Sequence, residues 1–176
     1  DVYKRQLETS LPIWVGLSCC DNKFDNSVIG RNFRAEKEKS LIYDENKYKD
    51  QPKYLPEDKI ILLEDIIKSL TSLGGDVYGI MHTWFQDSIG GLKILKNNWK
   101  GPIMFYPEIH KFDTNTHKAI ITMTEEEFSN SILELIDDQI QIVGGCCGVN
   151  DKHLKKLIKS ISCLLYTSDA ADDVYC

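Results

Sequence analysis

Four short apolar runs constrain the fold most: residues 12–17 (PIWVGL), 77–81 (VYGIM), 102–106 (PIMFY) and 139–143 (QIQIV). Each is rich in β-branched or aromatic residues and bounded by Gly, Pro, Asp or Asn, as for strands buried on both faces. Helical patterns lie between them. Residues 57–73 put Ile60, Leu63, Ile67 and Leu70 on one face, and Gly74-Gly75 stops the helix. Residues 88–97 align Ile89, Leu92 and Leu95. Residues 124–137 open with TEEE, a Thr cap with Glu three positions on, and carry Phe128, Ile132, Leu135 and Ile136. Residues 150–160 open with Asn-Asp and lead a stripe of Leu154, Leu157, Ile158 and Ile161. Strand–helix alternation predicts an α/β fold with a parallel sheet and right-handed crossovers. The Lys-, Asp-, Glu- and Asn-rich connection 21–56 is long enough to be functional or peripheral.

A chain of 176 residues fits one domain, or part of a larger one. The net charge of -6 argues against a nucleic-acid or anionic-membrane partner, which needs a basic face. No apolar run approaches the roughly 18 residues of a membrane span. The opening DVYKRQ has no apolar stretch behind its basic residues, so a cytoplasmic address is expected. Both ends look foreign. DVYKRQ and CLLYTSDAADD resemble translated adapter read-through, so residues 1–6 and 163–176 are expected to be non-native and the domain to cover 7–162.

Each strand ends in residues unlike its body: Ser18-Cys19-Cys20-Asp21, His82-Thr83, Pro107-Glu108, and Gly144-Gly145-Cys146-Cys147-Gly148. Ligands of parallel α/β folds gather beyond the carboxyl ends of the strands, so these residues are expected at one rim. The cysteines at 19, 20, 146 and 147 form adjacent pairs, which bridge each other badly, and reduced thiols fit better. Metal binding is then the alternative to burial as small hydrophobes. The glycines around Cys146-Cys147 let the chain curl so that both thiols reach one ion. The following helix aims its amides at them, which lowers a thiol pKa. Cys19 and Cys20 suit apolar packing better than ligation. His110 and His117 read as solvated loop residues, and His153 as structural.

The segment GGCCG-xxxx-HLxxL resembles the end of the homocysteine S-methyltransferase family, or homocysteine-binding domain. PIWVGLSC is similar to that family's fifth strand, YGIMHT to its sixth strand with the Asn-Cys motif, and PIMFYPE to the strand ending in Tyr-Pro-Asn. The resemblance implies a zinc-dependent (β/α)₈ TIM barrel that methylates the homocysteine thiol to give methionine. A barrel needs about 250 residues, so this chain would be the C-terminal half, strands five to eight, expected to be inactive alone. The implied Zn²⁺ ligands are Cys146, Cys147 and His82, the last standing where the family has Cys, with Met81 in place of Asn. A branch with Ile-Met-His at this place is implied. Cys19, Tyr106, Glu108, Gly144 and Gly145 would line the substrate site, with Glu108 in place of the family's Asn. The implied partners are homocysteine and a sulfonium methyl donor, S-methylmethionine or S-adenosylmethionine. The alternatives are a zinc-binding barrel with altered thiol chemistry or no methyltransferase activity, and an α/β scaffold whose Cys pair is inert.

Overall fold

The computed structural model describes residues 11–21, 27–30, 61–113 and 118–169. Each apolar run forms a strand: β1 (Trp14–Leu17), β4 (Val77–Trp84), β5 (Ile103–Glu108) and β8 (Ile140–Val143). They pair in the order β1-β4-β5-β8, all parallel. β4 and β5 run further than the apolar composition suggests, to Trp84 and Glu108, and so carry polar residues into the sheet.

Helix α1 (Leu63–Thr71) precedes β4, and the chain leaves it through Gly74 at φ 107° and Gly75 at φ 125°, which side chains rarely adopt. Helix α2 (Phe85–Asn98) follows β4 directly. Helix α3 (Glu125–Leu133) starts on the expected capping box, in which Thr124 Oγ1 accepts from Glu127 N and Glu127 Oε2 from Thr124 N. It ends short of 137. There Asp137 Oδ1 accepts the amides of Gln139 and Ile140, a turn that opens β8 instead of prolonging the helix. Helix α4 (Asp151–Asp169) continues past Ser162 into the segment expected to lack helical period.

The core lies between this sheet and its helices. Tyr78, Ile80, Ile103 and Phe105 meet Leu63, Ile67, Leu92, Leu95, Phe128 and Ile132, all nearly or wholly buried. The predicted helical stripes hold except at Ile158, which is 63% exposed. α4 packs on α3 with Leu157 buried, and one residue further round the helix Ile158 faces away.

Two antiparallel hairpins were not foreseen. β2 (Cys19–Asp21) pairs with β3 (Val28–Gly30), and β6 (His110–Asp113) with β7 (Lys118–Ile121). Both follow strand ends directly, where polar composition reads as loop. Ile60, His117 and most of the connection 21–56 lie outside the described residues. Among the described residues, no helix is long and apolar enough to cross a membrane.

Candidate metal centre

The carboxyl end of β4 is irregular. His82 has φ 50°, the one positive φ outside glycine among the described residues, and the β4–β5 pairing shifts register between Met81 and Trp84. A left-handed residue inside a strand costs about 1–3 kcal/mol and redirects its side chain out of the regular alternation. Thr83, wholly buried, holds the distortion. Its hydroxyl donates to Met81 O at 2.9 Å and accepts from Cys19 N at 3.0 Å. The result is an exposed imidazole turned toward the end of β8.

Beyond β8 the chain curls back on itself. Cys146 N donates to Pro107 O at 3.1 Å, Ile109 N to Cys147 O at 2.9 Å, and Val149 N to Cys146 O at 3.1 Å. The curl needs its glycines. A Cβ on Gly145 would stand 2.2 Å from Val149 Cγ1, and one on Gly144 2.5 Å from Tyr106 Cε1. Gly148, at φ 90°, brings the loop against the backbone of Ile109 and His110.

These two features bring three donors together. Cys146 Sγ lies 3.2 Å from His82 Nδ1 and 3.9 Å from Cys147 Sγ, and all three donor atoms lie within 4.8 Å of one another. A tetrahedral ion with bonds of about 2.3 Å to sulfur and about 2.05 Å to nitrogen sets its ligands about 3.8 Å apart (S···S) and about 3.6 Å apart (N···S). The observed spacings are close to both. Two thiols and an imidazole are also the donor types that zinc prefers, so the residues fit that ion. Cys146 and Cys147 are both free and neither is buried, which disfavours an inert, packed pair. The Cys147 thiol is pushed up, not down: first by partial desolvation, then by the neighbouring Cys146 thiol and the Glu108 carboxylate. The α4 amides do not offset this, because Asn150 Oδ1 takes those of Lys152 and His153.

The family model described as homocysteine S-methyltransferase matches residues 62–161, more than half of the chain. The chain belongs to the homocysteine S-methyltransferase family. Members of this family transfer methyl groups to homocysteine, and His82, Cys146 and Cys147 all fall inside the matched stretch. PIWVGLSC lies before it. No curated protein matches the chain.

The other expected site residues divide. Tyr106 is half-buried against Gly144, and Glu108 is 9% exposed beside Cys147. Cys19 stands apart from the donor groups. It is 1% exposed, packed against α2 at Gly91, and burial pushes its thiol up to about 12. That is the apolar role expected for it. His153 is structural as expected: 2% exposed, with Nε2 3.2 Å from Met123 O and its ring edge-on to Phe128. His110 was missed. It joins Glu108 and Cys147 in a second group of converging donors. The available signal was Glu108-Ile109-His110, because alternate residues of an extended chain share a face.

Proposed function

We propose that this chain is the C-terminal half of a (β/α)₈ barrel, strands five to eight over residues 7–162. Completed, the barrel transfers a methyl group from S-methylmethionine or S-adenosylmethionine to the homocysteine thiol, giving methionine, at a zinc site of His82, Cys146 and Cys147. The observation that carries this reading is the convergence of those three donors at the carboxyl end of β4 and just beyond that of β8 in a chain of this family. The sheet order supports the barrel. Strands added in one direction, with crossovers of one hand, put every helix on one face, as in a barrel wall. A doubly wound sheet reverses its order and covers both faces.

Zinc held by His82, Cys146 and Cys147 would supply the Lewis acidity that lowers the pKa of a thiol entering the site. The protein's own groups do the rest. Exposed His82 and Cys147 leave the donor set open on its solvent side, where a homocysteine sulfur enters. The Tyr106 ring is seated on Gly144, and Gly145 lets the thiol loop pack onto Val149. Reduced cysteines at the site accord with a cytoplasmic address.

A second reading rests on His82 itself. A neutral imidazole in place of a third thiolate makes the donor set one charge less negative, and zinc held there would supply a different Lewis acidity, which suits altered thiol chemistry. The deciding experiment supplies the complete gene product with zinc, homocysteine and each sulfonium donor. Methionine formation, lost in Cys146→Ser, supports methyl transfer. Zinc binding without methionine supports the second reading.

A further inference from the structure

We propose that Glu108, His110 and Cys147 form a second site for a zinc-like divalent cation, with the Cys147 thiolate shared between the two sites. The donor atoms of these three residues lie within 4.8 Å of one another, and Cys147 alone belongs to both groups. The arrangement is held from the backbone. Ile109 N donates to Cys147 O at 2.9 Å, and Ile109, wholly buried, anchors the link between β5 and β6 from which Glu108 and His110 project. Gly148 lets the thiol loop close on His110, since a Cβ there would stand 3.1 Å from His110 N.

A second observation points to a ligand. His110 Nδ1 is shut away from solvent with no hydrogen-bond partner among the described residues. A buried ring nitrogen of that kind is normally satisfied by protein or water, and a metal ion satisfies it equally well. The donors are one carboxylate, one imidazole and one thiolate, a mixture suited to borderline cations of the zinc type. A bridging thiolate with metal–sulfur bonds of about 2.3 Å is compatible with the separation of about 3.5–4 Å found in two-metal sites. Charge also accords: Cys146, Cys147 and Glu108 contribute three negative charges against four from two dications.

This inference goes beyond the first site and can be told apart from it. The full 176-residue chain is equilibrated with zinc, freed of excess, and its metal content measured by elemental analysis, with circular dichroism to check folding. Other cysteines can take zinc, so the reading is the loss on substitution. Glu108→Gln, which is close to isosteric, and His110→Gln should each lose one equivalent while keeping that of the first site. His82→Ala should lose a different single equivalent, and Cys147→Ser should lose both. If both Gln variants fold and retain the full content of the parent, the second site is wrong. If they lose one equivalent while His82→Ala loses none, the second site stands and the first reading falls. Parent protein that takes up no zinc overturns both.

Discussion

His82 Nδ1 lies 3.2 Å from Cys146 Sγ, although 64 residues separate them in the chain. That contact joins a distorted strand end to a glycine-bounded loop, and neither feature would make it alone. Either partner should therefore be indispensable to the metal. Removing an outer-shell partner of a metal ligand costs about 10–100-fold in affinity. Cys146→Ser and His82→Ala remove ligands themselves and should weaken zinc binding by more than that. Chelator competition measures it, and a Cys146→Ser protein that holds zinc as tightly as the parent would show the ligand set to be wrong.

Thr83 should act on the metal without touching it. Thr83→Val keeps the shape but leaves Cys19 N and Met81 O without the hydroxyl that satisfies both. We expect a loss of about 1–3 kcal/mol in stability, read from urea unfolding. Zinc affinity should fall about tenfold as His82 relaxes from its left-handed conformation. Thr83→Ser restores the hydroxyl and should rescue the affinity. Equal zinc affinity in the Val and Ser variants would disconnect Thr83 from the site.

Cys19 makes stability depend on alkaline pH. Its thiol ionises at about 12 when folded against an ordinary value of 9.0, raised chiefly by burial. Below pH 9 both states keep the proton, and this group adds no pH dependence. Above 9 the unfolded chain gives up its proton while the folded chain keeps it. Stability then falls as pH rises, by up to about 1.4 kcal/mol per unit, until the folded thiol ionises as well. Cys19→Ala should flatten that slope between pH 9 and 11. An unchanged slope in denaturant titrations would show that burial does not hold the thiol protonated.

If the chain is half a barrel, it should not stay alone in solution. Among the described residues the outer edges of β1 and β8 have no strand partner, and Leu11 and Trp14 beside the first are 72% and 53% exposed. Unpaired edges with apolar flanks recruit other strands. Expressed by itself, the chain should elute as dimers or larger species whose fraction grows with concentration. A monomer that melts in one cooperative step would contradict the half-barrel reading.

The sequence displayed the strands as continuous apolar runs, although only β4 and β5 are buried along most of their length, and the amphipathic helices as stripes. It displayed Cys146 and Cys147 because glycines flank them so closely. It concealed what depends on local irregularity. Nothing in YGIMHT announces that His82 adopts a left-handed conformation, since the support comes from Thr83 and Cys19, the latter 64 residues away from Thr83. The strand running from His110 was concealed for another reason. Its pairing partner β7 is apolar but only four residues long and exposed, too short a run to stand out as a strand. Ile158 shows the limit of helical period: spacing says which residues share a side of α4, not how wide a side its neighbour covers.

The β1-β4-β5-β8 order lets each βα unit join the growing sheet as the ribosome delivers it, with no earlier unit displaced. The donor set does not build up in the same gradual way. His82 is in place once β4 has docked, but both thiols wait for the last strand to pair with β5. If this set captures an ion, capture would be an assembly checkpoint: a chain stalled or cleaved before residue 146 would hold a nearly finished sheet and still show no affinity for metal there.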